Sequence, residues 1–253
     1  TQINQAQAMQ QLGFHRQAIT TLTPVVEALA PQPDSLTEAV ALRTLGDSLL
    51  QAGSLSEAES VLASSLAMAQ ALPNPVAASA AALSLGNLKA AEDDYDAALE
   101  FYGQAEANAV DALVQAQAQL NRLKVLVEMD QIPQAQALWP SIQTDLQALP
   151  PTQAVLFARV NLAQTLIKLS VTSNPTPRQI ADLLATTIKQ AQALGDSRSE
   201  SFATGTLGHL YEIQAQWSEA AELSQNALAL AQTVDASDIT YQWQWQLGRI
   251  FKA

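Results

Sequence analysis

The sequence predicts an all-α fold, a right-handed α-solenoid of antiparallel helix hairpins, and three observations support this prediction. A Leu-Gly pair returns along the chain as Leu45-Gly46, Leu85-Gly86, Leu207-Gly208 and Leu247-Gly248. An alanine lies twelve residues after three of these glycines, at Ala58, Ala98 and Ala220. Alanine and glutamine, both compatible with helices, make up 47 and 30 of the 253 residues. Recurrence of this kind is typical of repeat proteins in which each helix pair stacks on its neighbours.

The helices can be placed from apolar residues at helical spacing, capping residues, and glycine or proline breaks. The predicted helices cover residues 3–12, 15–30, 34–50, 54–72, 76–91, 95–107, 111–129, 132–148, 152–169, 179–194, 199–214, 218–233 and 236–251. They form about six repeats of about 40 residues, followed by a final unpaired helix. We expect residues 1–253 to be a single solenoid domain that belongs to a longer protein.

Glycine and proline set most boundaries in the first half. Gly13 and Gly53 break the helical pattern and provide turns within the first two hairpins. Pro24 falls inside the second helix and is expected to bend it. Asp34 or Ser35 caps the third helix, where Glu38 is a capping-box candidate. These signals predict short connections between consecutive helices.

Acidic residues and paired prolines mark the boundaries in the second half. Residues 92–94 are Glu-Asp-Asp and precede the helix at 95–107, where acids favour the positive end of the helix dipole. Pro150-Pro151 separates the fourth and fifth hairpins. A longer connection, Ser170 to Pro177, interrupts the fifth hairpin. The second half therefore follows the same plan with one insertion.

Composition excludes several classes of function. The net charge of −12 disfavours nucleic acid as a partner, because a basic face supplies most of that binding free energy. No apolar run approaches the roughly 20 residues of a membrane span. The absence of cysteine excludes thiolate chemistry, and the two histidines, His15 and His209, show no metal-binding spacing. We expect no enzymatic activity and no cofactor, and the compartment remains open.

The repeated residues resemble the tetratricopeptide repeat. The resemblance covers nearly the whole chain and rests on the Leu-Gly pair in each first helix and the alanine and aromatic positions in each second helix. It is clearest in Leu85-Gly86, Tyr95, Ala98, Tyr102 and Ala105. The family implies that first helices line a concave surface and second helices the convex one.

The length of the repeat, the alanine and glutamine content and the closing stretch 241–249 also resemble the repeat region of bacterial CHAT-domain proteins. In those proteins such repeats precede a caspase-like peptidase domain. This second resemblance implies a regulatory or sensing arm of a protease-like protein. The peptidase domain itself does not lie in this sequence.

Positions three before and one after each glycine share a helical face, and we expect that face to line the groove. The predicted groove residues are Arg43, Asp47, Asn87, Asn121, Lys124, Asn161, Gln164, His209, Trp245 and Arg249. Most basic residues, Arg159 among them, fall in first helices, which predicts a groove near neutral or mildly positive within an acidic shell. The alternative is that these residues are only solvated side chains on the inner face. We likewise expect His15 to be a solvated residue in a turn.

Two functions remain open from the sequence. The first is an interaction scaffold that binds a peptide or protein segment in the concave groove. The second is a structural spacer or oligomerisation module without a peptide ligand. The terminal Trp243 and Trp245 predict weak self-association through the last helix, because exposed apolar area often marks an interface.

Overall fold

The computed structural model describes residues 1–170 and 175–253, and over these ranges the chain is helical without a strand. The helices are α1 (Gln2–Gln11), α2 (His15–Leu29), α3 (Leu36–Gln51), α4 (Leu55–Ala71), α5 (Pro75–Ala91), α6 (Tyr95–Asn108), α7 (Ala112–Glu128), α8 (Ile132–Ala148), α9 (Gln153–Leu169), α10 (Pro177–Leu194), α11 (Ser197–Ile213), α12 (Trp217–Thr233) and α13 (Ser237–Ile250). The predicted fold class, an α-solenoid of helix hairpins, is confirmed.

Helix boundaries differ from the predictions by no more than two residues, and α10 and α11 begin earlier than predicted because their caps lie earlier in the sequence. Helix α10 begins at Pro177 since Thr176 and Gln179 form a capping box. Helix α11 begins at Ser197 because the carboxylate of Asp196 accepts from the backbone N–H of Ser199 at 3.0 Å. Of the predicted insertion 170–177, residues 171–174 lie outside the described residues.

The described residues form two compact units, Thr1–Val125 and Leu126–Ala253. In the first unit each helix from α1 to α6 packs on the next, and α3 also contacts α1 and α5. In the second unit α9 and α11 contact each other and α11 contacts α13. The first helices of successive hairpins therefore form one layer within each unit. That residues 1–253 form a single domain stays a prediction.

Glycine permits close approach of the two helices in a hairpin. A Cβ atom added to Gly46 would lie 2.5 Å from Cγ of Leu62, and one added to Gly86 would lie 2.5 Å from the ring of Tyr102. These separations are far below van der Waals contact, so only glycine fits without a shift. The side chain sixteen residues after the glycine fills the space that a Cβ would occupy, and we call this arrangement the glycine seat.

A serine hydroxyl ties the two helices together at a second point. The hydroxyls of Ser79 and Ser201 donate to the carbonyls of Ala105 and Ala227, at 2.7 and 2.6 Å. In α3 and α4 the roles are exchanged, because Ser65 donates to the carbonyl of Ala39 at 2.7 Å. These bonds satisfy polar groups inside an otherwise apolar seam.

Candidate interaction groove

An open groove of about 550 Å³ runs along the first helices of the first unit. Its wall includes Arg43 and Asp47 from α3, and Ser84 and Asn87 from α5. Half-buried apolar side chains also line it, and we call this set the apolar floor: Leu50, Ala80, Leu83 and Val114. The remaining lining residues are Gln10, His15, Gln51 and Gln117. The groove thus combines apolar contact area with amide groups, the composition typical of a binding cleft.

Arg43 and Asp47 form an ion pair one helical turn apart, with 2.9 Å between Nη1 and Oδ2. Their side chains are 27% and 26% exposed, so the pair faces the groove without being fully solvated. Burial raises the pKa of the Asp47 carboxyl, while the charge of Arg43 and a hydrogen bond from Ser84 oppose that rise. The pair makes this part of the groove electrically neutral and able to both donate and accept hydrogen bonds.

Asn87 is held in place by neighbours from two other helices. Its side-chain oxygen accepts from Nδ2 of Asn121 at 2.8 Å and from the hydroxyl of Tyr102 at 3.0 Å. Both bonds use the carbonyl oxygen, so the NH₂ group of Asn87 takes part in neither. Burial of Tyr102 raises its pKa, and its hydroxyl is therefore a fixed donor to Asn87. These hydrogen bonds fix the orientation of the Asn87 side chain.

Two of the predicted groove residues, Lys124 and Asn161, do not line this groove. Lys124 is half-buried near the end of α7, and Asn161 is half-buried on α9. The backbone carbonyl of Asn161 accepts a hydrogen bond from Thr165. Neither residue is brought to the groove floor, and their role in binding stays a prediction.

The second unit has a smaller pocket of about 240 Å³ that gathers four predicted residues: Gln164, His209, Trp245 and Arg249. Nδ1 of His209 lies 3.0 Å from Oε2 of Glu212. Arg249 donates to both oxygens of Glu212 at 2.8 Å. These hydrogen bonds, chiefly those from Arg249, lower the pKa of Glu212. The cluster fixes α13 to α11 and neutralises the charge of Arg249.

Two sequence interpretations need correction. Arg159 does not face a groove, because it is only 2% exposed and donates to the carbonyls of Leu146 and Leu149 at the end of α8, as well as to Gln190. It therefore satisfies carbonyl groups that the helix end leaves open. His15 is not a solvated turn residue, since it is the first residue of α2, is half-buried beside the groove, and has a buried Nδ1 atom.

The two terminal tryptophans have opposite environments. Trp243 is fully buried against Gly205 and donates from Nε1 to Ser201 at 3.0 Å. Trp245 is 71% exposed. The expectation that both would be available at the surface is therefore wrong for Trp243, which belongs to the core between α11 and α13.

Sequence reasoning missed several groove residues, among them Gln10, Ser84 and Gln117. Gln117 lies one turn before the counted position Leu120, Ser84 directly follows the counted position Leu83, and Gln10 lies in α1, where no position was counted. Gln10 donates to the carbonyl of Thr44 and to the hydroxyl of Ser48, both at 2.8 Å, which places it over the N-terminal side of the groove. A polar residue on the turn next to a counted position is the signal that could have identified Gln117.

The part of the chain that the structure describes offers neither a metal site nor a membrane span. Within residues 1–170 and 175–253, no group of three or more histidine, aspartate or glutamate side chains could hold a metal ion. No helix in the described part of the chain is long and apolar enough to span a bilayer.

Comparison with solved structures identifies the architecture. BtubC from P. vanneervenii superposes with a TM-score of 0.68 at 18% identity, covering 87% of this chain and 92% of BtubC. A signal-transduction ATPase with numerous domains from Pyrococcus horikoshii, which carries a tetratricopeptide repeat sensor, gives a TM-score of 0.66 at 13% identity. The chain has a tetratricopeptide-like fold. The alignment covers 99% of this chain but only 41% of the ATPase.

A third solved structure with this tetratricopeptide-like fold is a Rap protein in complex with competence and sporulation factor. It gives a TM-score of 0.66 at 12% identity and covers 98% of this chain and 73% of the Rap protein. No known protein-family profile matches the chain, and no curated protein sequence matches it. At these identities the similarity concerns the fold alone.

Proposed function

We propose that the chain is a non-enzymatic protein-interaction module that binds an extended segment of a partner protein in the groove of the first unit. The observation that carries this proposal is the groove itself, about 550 Å³ in volume, with an apolar floor and polar walls contributed by first helices. Its shape and composition suit a peptide better than a small polar metabolite, because binding would combine apolar burial with a few directed hydrogen bonds.

The groove offers each kind of contact that an extended peptide needs. Gln51, Asn87 and Gln117 can bond the peptide backbone through their amide groups. Leu50, Leu83 and Val114 can contact alternate apolar side chains of the segment. Arg43 and Asp47 bond each other in the free chain, and either side chain can also bond a polar side chain of the partner. Hydrogen bonds of this sort contribute about 0.5–1.5 kcal/mol each, and together with apolar burial we expect them to reach the roughly 8 kcal/mol of a micromolar complex.

The similar structures support a binding role. The repeat region of the Pyrococcus horikoshii ATPase is described as a sensor, and the Rap protein was solved with competence and sporulation factor bound. The Rap complex is thus a case in which a protein of this fold holds a factor. We extend that use to this chain as part of the proposal.

We also infer that the chain serves as a regulatory arm of a CHAT-type protein. The support is the alanine- and glutamine-rich repeat and the closing stretch 241–249 of the sequence. Partner binding would then change the packing of the hairpins and so the activity of a linked peptidase domain. The full-length gene tests this inference: it is upheld by a downstream domain with a histidine and cysteine pair and contradicted by its absence.

The rival function is a spacer with no ligand. A spacer would present a uniformly polar inner face, whereas the first-unit groove has four half-buried apolar residues in its floor. The groove is not basic, because its charged side chains are one arginine and one aspartate. The apolar floor thus favours binding over a spacer.

A peptide-display selection tests the proposal. Random peptides would be selected on the intact chain, and the affinity of the best ones measured by calorimetry. We expect the triple variant Arg43→Gln, Gln51→Ala, Gln117→Ala to bind them at least about tenfold more weakly, because the two alanine substitutions each remove a groove donor worth about 0.5–1.5 kcal/mol and Arg43→Gln removes the charged one.

The matched control is Arg16→Gln, Gln17→Ala, Gln70→Ala, which changes the same residue types at exposed positions on α2 and α4. It should bind the selected peptides like the unmodified chain, and thermal unfolding of both variants shows whether the fold is kept. Equal affinity for the groove variant and the control would rule out the groove as the binding site.

A further inference from the structure

A partly enclosed cavity of about 190 Å³ lies between the N-terminal halves of α3 and α5 in the first unit, and we call it the slot. Both hairpins that form it are complete, α3 with α4 and α5 with α6, so the slot is not a gap left by a missing helix. Its walls are mainly apolar side chains, contributed by Leu36, Ala39, Val40, Val76, Ala77 and Ala80.

The slot adjoins the candidate groove. Arg43 and Ala80 line both, so the slot and the groove form one continuous surface along α3 and α5. At the rim of the slot, Leu36 is 42% exposed and Val76 is 57% exposed. A segment that lies in the groove would therefore pass beside an apolar opening.

The two small polar residues of the slot bond the backbone of the chain itself. The hydroxyl of Ser65 donates to the carbonyl of Ala39 at 2.7 Å. The side-chain oxygen of Asn74 accepts from the backbone N–H of Ala77 at 2.9 Å. A molecule that enters the slot would therefore be held by apolar contact rather than by hydrogen bonds to these oxygens, which favours an apolar occupant.

Helix caps match the pair α3 and α5 to a pair of helices in the second unit. The capping residues Asn74 of α5 and Asp196 of α11 both lie twelve residues before the glycine of the Leu-Gly pair. Ser35 caps α3 eleven residues before its glycine, and Thr152 caps α9 eleven residues before Ala163. Helices α3 and α5 contact each other, as do α9 and α11. The pair α9 and α11 is therefore the counterpart of the pair that forms the slot, with Ala163 in the glycine position.

At the level of the slot, the second unit carries two phenylalanines. Six residues before the glycine position, α9 has Phe157 and α11 has Phe202. The same positions of α3 and α5 are Val40 and Ala80, both in the wall of the slot. The rings of Phe157 and Phe202 pack on each other with their centroids 5.4 Å apart. Aromatic rings thus fill in the second unit the space that two smaller side chains leave open in the first.

An arginine accompanies the rings in the second unit, and another borders the slot. Cζ of Arg198 lies 6.0 Å from the centroid of the Phe157 ring, a distance at which the positive charge is attracted to the face of an aromatic ring. In the first unit Arg43 forms part of the wall of the slot. An aromatic ring in the slot would therefore meet a guanidinium group as well as apolar walls, and is favoured over an aliphatic side chain of similar size.

We propose that the slot receives one aromatic side chain, a phenylalanine or tyrosine, of the partner segment that lies in the groove. This inference rests on the proposed function and adds the chemistry by which the segment is recognised. An apolar cavity of about 150 Å³ in another protein accommodates benzene, so the volume of about 190 Å³ is sufficient for a ring. Aromatic side chains held in pockets commonly dominate the affinity of an interface.

The slot can be tested without a peptide, by NMR of alanine and valine methyl groups in the intact chain with p-cresol, which carries the ring of a tyrosine side chain. We expect p-cresol to bind with a dissociation constant of about 1 mM and to shift the methyl signals of Val40, Val76 and Ala77. Val40→Phe gives α3 the residue that α9 has at the equivalent position, so it should fill the slot and abolish the shifts of Val76 and Ala77. The matched control Val234→Phe, at an exposed position of the second unit, should leave them unchanged.

The peptides selected on the intact chain test whether a partner segment supplies the ring. They should share an aromatic residue at one position, and replacing it with alanine should weaken binding to the unmodified chain about tenfold or more. On the Val40→Phe variant the same replacement should change the affinity by less than about twofold, because the slot is already filled. On the Val234→Phe control the full effect should remain.

A second variant fills the slot from the opposite wall. Ala77→Leu narrows it from α5 and should reproduce both effects of Val40→Phe. Val40 and Ala77 line the slot and not the groove, whereas Gln51 and Gln117 line the groove and not the slot, so the two sites can be altered separately. Both filled variants should keep or raise the melting temperature, because each adds apolar contact in an open cavity.

The results that would overturn the slot differ from those that would overturn the groove. Methyl signals that p-cresol does not shift, or that it still shifts in both filled variants, would show that no ring binds in the slot. Peptides that the groove variant weakens, but whose affinity needs no aromatic residue or is unaffected by filling the slot, would keep the groove and exclude the slot. If no peptide binds at all, the groove and a peptide occupant fail together, while p-cresol still decides whether the slot accepts a ring.

Discussion

At the scale of single residues, the fold depends on a few positions where only one size of side chain fits. Gly86 is pressed against the ring of Tyr102, and the hydroxyl of that tyrosine in turn orients Asn87 in the groove. One glycine therefore links hairpin packing to the geometry of the candidate site. Gly103, in the opposite helix of the same hairpin, has open space around it.

The glycine seat predicts that Gly86→Ala destabilises the chain although alanine is the better helix former. Displacing the Tyr102 ring should cost about 1–3 kcal/mol, against a gain of about 1 kcal/mol in helix propensity. Gly103→Ala, the matched control, should stabilise by about 0.5–1 kcal/mol. Urea denaturation of both variants measures the difference, and equal stability changes at the two glycines would contradict the seat.

At the scale of helices, side chains that bond from one helix to the next hold neighbouring elements together. Arg159, on α9, bonds the last carbonyls of α8, and burial lowers the pKa of its guanidinium. Glu212, on α11, holds Arg249 of α13. Both contacts cross between elements, so each stabilises the packing of a helix pair rather than a single helix.

Replacing Arg159 with methionine should destabilise the second unit by about 2 kcal/mol. Methionine preserves much of the apolar stem but leaves the carbonyls of Leu146 and Leu149 without their donor, and a buried unsatisfied group costs about 1–3 kcal/mol. Arg178→Met, at an exposed position, should change stability by less than about 0.5 kcal/mol. Thermal unfolding compares them, and a neutral Arg159→Met variant would show that these hydrogen bonds do not contribute.

The contact between Glu212 and Arg249 predicts a specific dependence of stability on pH. Because hydrogen bonds from Arg249 lower the pKa of Glu212, its contribution is complete above the ordinary value of 4.5 and is lost as pH falls through the lowered pKa. The stability difference between the unmodified chain and Glu212→Gln should therefore shrink on acidification from pH 7 to about pH 3. The exposed Glu57→Gln serves as control, and a difference independent of pH would contradict the assignment.

Much of the architecture could be predicted from the sequence because its determinants are local. The Leu-Gly pairs, turn glycines and caps placed the helices to within a few residues, and counting from the glycines selected Arg43, Asp47 and Asn87, which the structure places in one groove. Burial of Arg159 and of Trp243 could not be predicted in this way. Both depend on which neighbouring helix lies above them, a tertiary contact that helical spacing does not encode.

At the scale of the whole molecule, charge is distributed so that the groove is neutral while the chain is acidic. The chain has 24 acidic and 12 basic residues, yet the first-unit groove contains one of each sign. Several basic side chains are already paired with acids, for example Lys89 with Glu59 and Glu92. The acidic excess therefore acts on approaching partners through its long-range field rather than through contacts in the groove.

This field predicts an effect on the rate of binding rather than on the bound complex. A selected peptide extended by two lysines should associate faster than the same peptide extended by two glutamates, and the ratio should fall as salt is raised to about 0.5 M. Dissociation rates should be nearly equal, because the added charges lie outside the groove. Stopped-flow measurements of both peptides test this, and a charge effect confined to dissociation would contradict it.

The most direct test of the proposed groove is photo-crosslinking of the tightest selected peptide, with the crosslinked residues mapped by mass spectrometry. A photoreactive group placed at successive peptide positions should react with α1, α3, α5 and α7, around Leu50, Leu83 and Val114. Crosslinks concentrated on α4 and α6, or on α2 beyond His15, would contradict binding in the groove.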